Sequence, residues 1–432
     1  MRKTVCTTAI LLLLGADLAY AQNAVIDQLN RFADTGPRRE NARAIGILCP
    51  AGNRLSARLQ SDCNTLVGAA FANNSSVRQA LSSITADNVT IPIDRSGLGK
   101  LNVLTPPSGQ SGPGWAALLQ PEDGLATLNL SGDEAGSLWS GYVQARFDND
   151  ERDASNNEDG FDRNGHALTL GVDRRLGSNG HLGAALTWGR SSLDYTGSSG
   201  SLDTDELGFN LYAGWQSASG FYLDTLLGLS NRDMEQVRRI SYGLTPTAVD
   251  QRFDSDFSSS ERLLALTAGF QVDRGALNLN PYARLEWVDA SSDGYTERSR
   301  APDSNGAGWA VQVGDLDENF TRFALGLRAA YAISGSNGVY LPYADLSWIK
   351  ISGLDAQAAR LRYAGDLSAN VNQSPIDFFM AADREDSSYG QLAVGMSAVW
   401  ANGWSGYLSY RHNFGDDLLD TQQVNAGLRM EF

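Results

Sequence analysis

The end of the chain alternates strictly between apolar and polar positions. Val424, Ala426, Leu428, Met430 and Phe432 are apolar or small, and the residues between them are polar or glycine. A period of two places the two sets on opposite faces of a β-strand. A strand with one apolar and one polar face, ending on an aromatic residue, is typical of the wall of a transmembrane β-barrel. An amphipathic edge strand of a soluble sheet has the same pattern, so this strand alone does not decide between them.

The same alternation recurs in segments from Trp139 to the end of the chain, and it predicts about twelve strands. The positions between the apolar ones carry charged or amide side chains: Arg146, Asn210, Gln216, Gln271, Arg284, Glu286, Arg322, Arg328, Arg411 and Arg429. An arginine facing the middle of a bilayer costs roughly 2–4 kcal/mol, so these groups are predicted to line a wet lumen. The predicted fold is all-β, an antiparallel up-and-down transmembrane barrel over residues 139–432.

The predicted connections between strands alternate in length. Short glycine-bearing turns precede His181, Phe221, Leu277, Val339 and Trp404, and they suit tight hairpins. The long polar connections between them cover residues 148–164, 195–203, about 238–258, 291–319, about 353–386 and 415–420. Outer-membrane barrels have short periplasmic turns and long extracellular loops. We therefore expect a barrel in the outer membrane, surrounded by lipid, with its long acidic loops outside the cell.

Aromatic residues lie near both ends of the predicted strands, as expected for the two membrane interfaces. Those near the short turns are Trp139, Trp215, Phe221, Trp400, Trp404 and Phe432. Those near the long loops are Phe147, Trp188, Trp287, Trp348 and Phe414. The alternative is that these are ordinary aromatic residues of a soluble core.

The first part of the chain has a different pattern. A positive start, the apolar run Ile10–Leu14 and the small residues Ala19 and Ala21 predict a cleaved signal peptide over residues 1–21. Residues 22–90 show apolar residues at helical spacing, which predicts a small helical domain. The Pro- and Gly-rich residues 91–138 are predicted to be a linker and a possible plug of the barrel lumen.

Three short helices are expected in this helical domain. They are centred on the apolar groups Val25–Phe32, Leu55–Val67 and Val77–Ile84, with Ser61-Asp62 and Ser75-Ser76 as candidate caps. Cys49 and Cys63 are close in sequence in an exported chain and are expected to form a disulfide. Such a bond would stabilise the domain by roughly 3 kcal/mol. Two buried free thiols are the alternative.

Residues 139–432 resemble the C-terminal translocator barrel of bacterial autotransporters. The stretches that carry the resemblance are LWSGYVQ (138–144), EDGFD (158–162), LTLGVDRRL (168–176), RRISYG (238–243), PYARLE (281–286), DGYTER (293–298) and the terminal GLRMEF. The resemblance implies a barrel that carries its own N-terminal passenger to the cell surface. It also implies that the last strand is the signal read by the barrel-assembly machinery, through Val424, Leu428, Met430 and Phe432.

The region before the barrel departs from the family pattern. The usual passenger is a long β-helix, whereas residues 22–114 are few and helical, and no Asn-Asn pair directly precedes the barrel. We therefore expect the small domain to be displayed while attached. The alternative is an adhesin-like or structural barrel that acts through its long acidic loops, with the helical domain in the periplasm. A passive pore is a third hypothesis, and in each case we expect a monomeric barrel.

Composition argues against several other functions. The chain has a net charge of −16 and its lysines are Lys3, Lys100 and Lys350, so nucleic acid is not an expected partner. Its histidines are His166, His181 and His412, so no Ser-His-Asp or Cys-His arrangement can form within residues 22–138. The sequence contains no P-loop, G-x-S-x-G or H-E-x-x-H motif. We expect neither an enzyme nor a cofactor or metal site.

Two charged groups leave alternatives open. The acidic stretch 148–162 lacks the spacing of a calcium-binding loop, so a solvated surface loop is favoured over a calcium site. The lumen arginines are expected to pair with acids such as Asp224 and Glu286 and to stabilise a filled pore. Anion selection by a ring of charges is the alternative.

Overall fold

The computed structural model describes residues 19–51, 54–85, 138–198, 200–244, 247–353, 358–368, 375–381, 388–400 and 403–432. Residues 1–18 of the predicted signal peptide and residues 91–137 of the predicted linker and plug lie outside the described residues. Within the described chain, two parts are distinguished: a closed β-barrel and a set of N-terminal helices.

The barrel consists of twelve antiparallel strands, as the sequence predicts. They are β1 (Trp139–Arg152), β2 (Phe161–Leu176), β3 (Gly180–Tyr195), β4 (Gly200–Gln216), β5 (Phe221–Leu244), β6 (Thr247–Phe270), β7 (Leu277–Ser292), β8 (Leu316–Tyr331), β9 (Gly338–Ser352), β10 (Ser388–Trp400), β11 (Trp404–Phe414) and β12 (Leu419–Glu431). Each strand pairs with the next one in the chain, and β12 pairs with β1 from Ser140 opposite Glu431 to Arg152 opposite Leu419. This β1–β12 pairing is called the seam below.

The two faces of the barrel wall are those that the alternation predicts. Outward positions such as Leu170, Leu227 and Leu346 are exposed and apolar, whereas inward positions such as Glu286 and Arg328 are buried and polar. The predicted interfacial aromatics Phe147, Trp188, Trp215, Trp287, Trp348, Trp404 and Phe414 are also exposed on the outer surface. An apolar outer surface on a closed barrel is the arrangement that a bilayer requires, because all backbone groups are paired within the wall.

Six inward-facing tyrosines lie directly opposite a glycine of the neighbouring strand. The pairs are Tyr142–Gly171, Tyr212–Gly183, Tyr222–Gly269, Tyr282–Gly326, Tyr343–Gly395 and Tyr407–Gly427. A Cβ atom added at Gly326 would lie 2.2 Å from the Tyr282 ring, so the ring occupies the space that a side chain would need. The Tyr282 hydroxyl on β7 then donates to Asp345 on β9 over 3.0 Å. Tyr282 therefore ties three strands together near the short-turn end, and Tyr212 and Tyr222 do the same through Asp173 and Asn280.

We expect Gly326→Val to lower the thermal stability of the barrel, because the new side chain displaces the Tyr282 ring and breaks its hydrogen bond to Asp345. Overpacking of this kind costs about 1–3 kcal/mol. The measurement is the temperature at which the detergent-solubilised barrel unfolds, read from the gel mobility of folded and unfolded forms. Gly243→Val on β5 is the matched control, since a Cβ at Gly243 meets no atom within 4 Å. Equal losses in the two variants would show that the tyrosine contact contributes nothing.

The N-terminal residues form four helices rather than the three expected. They are α1 (19–30), α2 (Gly36–Leu48), α3 (Ala57–Phe71) and α4 (Ser76–Ile84), and they share a core that includes Leu29, Ile45 and Leu66. None of the helices in the described chain is both long and apolar enough to cross a bilayer. The disulfide between Cys49 and Cys63 is present, which confirms that prediction.

One of the predicted helix caps is wrong. Ser75 does precede α4, but Ser61 and Asp62 lie inside α3, and the N-cap of α3 is Ser56, whose hydroxyl accepts from the Leu59 N–H. The helix therefore begins at Ala57, four positions before Ser61. The Asp62 side chain is thereby free to point away from its own helix.

Several predicted loops are strands, which corrects the sequence-based boundaries. Residues 238–244 and 247–258 continue β5 and β6, each 24 residues long, and residues 148–152, 161–164, 195 and 200–203 belong to β1–β4. The true long connections at this end are residues 293–315 and 353–387. They contribute the short strands Tyr295–Thr296, Val311–Val313, Ala358–Tyr363 and Phe378–Ala381, which form a second sheet, called the loop sheet below.

Candidate functional site

The inner face of the β5–β6 hairpin changes character along its length. In the half of the hairpin nearer the β4–β5 turn, polar inward side chains such as Asp224, Arg232 and Glu261 alternate with buried apolar ones such as Leu226 and Leu263. Farther along they become apolar and fully buried: Ile240, Tyr242, Leu244, Val249 and Phe253. On the outer face the order is reversed, from exposed leucines to exposed acids. These changes along the two faces indicate that the outer face leaves the lipid and meets water at this level. At the same level, the inner face begins to pack against a second protein core.

The four helices fill this second core at the long-loop end. Helix α4 packs against β5, where the Ser83 hydroxyl accepts from the Ser241 N–H over 2.7 Å. Helix α2 packs against the loop-sheet strand Phe378–Ala381, and α3 packs against the short helix Ala307–Trp309. Backbone hydrogen bonds join Ser56 N–H to Gly365 O over 2.8 Å and Leu367 N–H to Arg54 O over 2.6 Å. These contacts together are called the docking interface.

Asp62 makes the most specific contact of the docking interface. Its carboxylate oxygens accept from the N–H groups of Gly306 and Gly308, both over 2.9 Å. Burial raises the pKa of the Asp62 carboxyl, and the two N–H groups partly offset this rise because they stabilise the ionised form. A Cβ atom at Gly308 would lie 2.5 Å from Cα of Leu59, so only glycine permits this close approach of the loop to α3.

A second polar contact lies between α2 and the loop sheet. The Tyr363 hydroxyl donates to the side-chain oxygen of Asn41, and the Asn41 amide donates to the Thr85 hydroxyl over 3.1 Å. The Tyr363 ring packs between Trp309 and Phe378, each with a centroid separation of 5.3 Å. Buried amides and hydroxyls are stable only when paired, so these contacts fix how α2 sits on the sheet.

Under this contact lies a buried ion pair that belongs to the barrel loops. Arg238 on β5 donates to both carboxylate oxygens of Glu297, over 2.6 and 2.7 Å, and to the Trp309 carbonyl over 2.9 Å. Glu297 also accepts from the Val311 N–H over 2.9 Å, and the Trp309 indole donates to the Tyr242 hydroxyl over 2.7 Å. The pair is completed by further hydrogen bonds, as a buried pair must be, and it attaches the loop sheet to the β5–β6 hairpin.

Of the two lumen acids named in the sequence analysis, Glu286 forms the expected ion pairs. Arg284 and Arg322 both donate to Glu286 over 2.8 Å. At the seam, Arg429 on β12 reaches across β1 to Asp173 on β2 over 2.6 Å.

Asp173 is the centre of the network at the seam. It also accepts from the Ser140 hydroxyl over 2.6 Å and from the Tyr212 hydroxyl over 3.3 Å. The first and last strands of the barrel are therefore joined on the lumen side by buried charges as well as by backbone hydrogen bonds.

The acidic stretch 148–162 is a loop only over residues 153–160, because its two ends belong to β1 and β2. Asp148 pairs with Arg146 over 2.8 Å, Asp150 with Arg163, and Glu158 with Arg152. In the part of the chain that the structure describes, no group of three or more His, Cys, Asp or Glu side chains is arranged to hold a metal ion.

The three histidines do not form a site together. His166 is exposed on β2, His181 is buried on β3, and His412 on β11 lies 3.6 Å from Asp420. All three belong to the barrel, whereas the helices contain none.

The residues of the predicted barrel-assembly signal lie on the outer face or at the end of β12. Val424, Leu428 and Met430 are exposed toward the surroundings of the barrel, and Phe432 is 64% exposed. Their recognition by an assembly machinery stays a prediction. The residues of the docking interface were missed by sequence reasoning, and Trp309, an isolated large aromatic in a polar connection, was the one signal that pointed to them.

The sequence profile named "Autotransporter beta-domain" matches residues 138–411. A curated relative, an extracellular serine protease of Serratia marcescens, is 23% identical over 282 residues, which cover 64% of this chain and 24% of that protein. Lipase 1 of Photorhabdus luminescens is 21% identical over 270 residues, covering 62% of this chain and 38% of that protein. The match thus spans about a quarter to two fifths of these relatives' length.

Solved structures with a similar fold include two translocator barrels. The translocator domain of the autotransporter NalP from Neisseria meningitidis is 17% identical, with a TM-score of 0.51, and the match covers 69% of this chain and 90% of that one. The beta domain of the Bordetella autotransporter BrkA is 20% identical, with a TM-score of 0.47, and the match covers 68% of this chain and 100% of that one.

Proposed function

Since the chain belongs to the autotransporter family, we propose that it is an outer-membrane protein that displays its own N-terminal helical domain at the cell surface and keeps it attached. The docking interface is the observation that carries this proposal. It holds the helices against the long-loop end of the barrel, which is the extracellular end in outer-membrane barrels. A domain destined for release would have no need of such an interface.

The positions of Thr85, at the end of the helical domain, and of Leu138, at the start of the barrel, support passage of the helical domain across the membrane. Thr85 lies at the long-loop end, where Asn41 donates to its hydroxyl. Leu138 lies at the short-turn end, where its carbonyl accepts from the Arg175 N–H over 2.9 Å. The residues between them therefore connect the two ends of the barrel. Crossing about 30 Å of hydrocarbon takes roughly ten extended residues, so the connection is long enough.

The alternative with a periplasmic helical domain and extracellular loops fits less well. It requires the helices and the long loops at opposite ends of the barrel, whereas Asp62 and Asn41 contact those same loops. The activities of the serine protease and lipase relatives belong to those proteins. We propose no enzymatic activity for the helical domain, since residues 22–85 contain no histidine for a triad.

Labelling of single cysteines on intact cells tests the location of the helical domain. We expect Gln79→Cys on α4 to react with a membrane-impermeant maleimide, because this exposed position would lie outside the cell. Ser304→Cys on a long connection should react equally, and Ser178→Cys in the β2–β3 turn should react only after the outer membrane is disrupted. Cys49 and Cys63 are joined in a disulfide and do not compete for the reagent.

Two other labelling results would contradict the proposal. Reaction of Gln79→Cys only after disruption, with Ser304→Cys accessible on intact cells, would place the helices in the periplasm. Recovery of the labelled helices in the culture medium, separate from the barrel on a denaturing gel, would show release rather than display.

A further inference from the structure

Charge is distributed unevenly between the helical domain and the rest of the chain. Residues 22–85 have a net charge of +3, from the arginines Arg31, Arg38, Arg39, Arg43, Arg54, Arg58 and Arg78 and the acids Asp27, Asp34, Glu40 and Asp62. The whole chain carries −16. A basic domain on an acidic protein has a surface field that the barrel does not provide.

Four of these arginines surround the turn between α1 and α2. Arg39 donates to the Ala33 carbonyl over 3.4 Å, and Arg38 pairs with Asp34 and donates to Ser82 on α4 over 2.7 Å. Arg78 lies on α4 one turn before Ser82, and Arg38, and more weakly Arg78, hold the pKa of Asp34 below its usual range. Arg31, Arg39 and Arg78 are exposed, and no carboxylate pairs with them among the described residues. Arg31, Arg38, Arg39 and Arg78 are called the arginine patch below.

Two members of the arginine patch lie where a positive charge is unfavourable for α2. Arg38 and Arg39 lie in the first turn of α2, which contains no acidic residue. The N-terminus of a helix carries about half a positive charge, so it repels a cation placed there instead of stabilising it. An anion bound at this turn would reverse the sign of that interaction, because it would face both the helix N-terminus and several guanidinium groups.

We propose that the arginine patch binds a polysaccharide bearing sulfate or phosphate groups. Guanidinium groups bind such oxyanions in a bidentate manner, and several of them spaced around one turn suit a chain with repeated anionic groups. Single-stranded nucleic acid is less suitable, because its binding relies on exposed aromatic rings for base stacking and Phe32 at this turn is largely covered. The inference deepens the proposed function, on which it rests, by giving the displayed domain a ligand.

Binding of the full-length protein to heparin in detergent tests this assignment. We expect the parent protein to bind, with an affinity that decreases as salt is raised, and Arg31→Gln/Arg39→Gln/Arg78→Gln to lose at least tenfold in affinity. The control is Arg190→Gln/Arg239→Gln/Arg300→Gln. It removes the same charge from surface arginines that pair with Asp205, Asp250 and Asp254, and it should change affinity less than twofold.

The outcomes distinguish this inference from the proposed display. Detergent exposes both ends of the barrel, so a periplasmic helical domain would bind heparin equally well and leave the inference standing. Equal binding by parent and patch variant, equal losses in patch and control variants, or retention of single-stranded DNA in preference to heparin would each overturn it. Circular dichroism and the folded-form gel mobility show that each variant is folded.

Discussion

Asp62→Ala is expected to free the helical domain from the barrel while leaving the barrel folded. The substitution leaves the N–H groups of Gly306 and Gly308 buried without an acceptor, and each unsatisfied group costs about 1–3 kcal/mol. A loss of about 2–4 kcal/mol accelerates hydrogen exchange roughly 30- to 1,000-fold where exchange requires undocking. The measurement is amide exchange of α3 and of the loop sheet in the purified full-length protein.

Two further variants separate undocking from a general loss of stability. Asp27→Ala removes the same charge from an exposed position of α1 and should leave exchange unchanged. Gly308→Val keeps the carboxylate but places its Cβ 2.5 Å from Cα of Leu59, and it should produce the same exchange pattern as Asp62→Ala. If α3 stays protected in both Asp62→Ala and Gly308→Val, the docking interface does not hold the domain.

Arg429→Gln is expected to weaken closure of the barrel at the seam. Arg429 on β12 is the buried partner of Asp173 on β2, and removing one member of a buried pair costs about 3–5 kcal/mol because the other charge is left uncompensated. We expect a lower unfolding temperature in detergent. We also expect less disulfide formation between Ala145→Cys and Ala426→Cys, two positions paired across the seam.

A matched ion pair elsewhere in the wall controls for the general cost of losing a buried charge. Arg232→Gln breaks the 2.8 Å pair with Glu261 between β5 and β6 and should lower stability without changing crosslinking at the seam. Arg429→Asp combined with Asp173→Arg should restore part of the crosslinking. Equal crosslinking in the parent and in Arg429→Gln would show that backbone pairing alone closes the barrel.

The barrel was predictable because lipid imposes one rule on every strand. Leu170, Leu227 and Val394 face outward in the structure as the alternation predicts, and Arg328 and Glu286 face inward. That rule requires no knowledge of which strands are neighbours. Pairing in chain order then follows from short turns, since consecutive antiparallel strands joined by tight turns are neighbours.

The segments of β5 and β6 at the long-loop end were predicted wrongly, because there the outward positions are polar and the inward positions are apolar. Outside the bilayer, Asp233 and Glu235 face water while Ile240 and Tyr242 face the helices, so polar residues occupy the outer row. A stretch with acids in that row is indistinguishable from a solvated loop until the helical partner is known. The Asp62 contact was missed for the same reason, since Gly306 and Gly308 are far from it in sequence.

Helix α2 was missed because its first turn contains few of the expected signals. It begins with Gly36 and Pro37, and Arg38 and Arg39 occupy positions where acids are usual. The Thr35 hydroxyl nevertheless accepts from the Arg38 N–H, and Pro37 is tolerated in the first turn. Its buried face becomes apolar only at Ala42, Ile45 and Leu48, beyond the turn by which helix starts are recognised.

The even number of barrel strands determines on which side of the membrane each end of the chain lies. A barrel of twelve strands returns the chain to the side from which it entered, so Trp139 and Phe432 share the short-turn side. The helices lie on the opposite side of the barrel, so the chain must cross from one end of the barrel to the other once more between the helices and β1. The chain therefore crosses an odd number of times in total. If the helical domain is displayed as proposed, reporter tags fused before residue 22 and after Phe432 would report from different compartments of an intact cell.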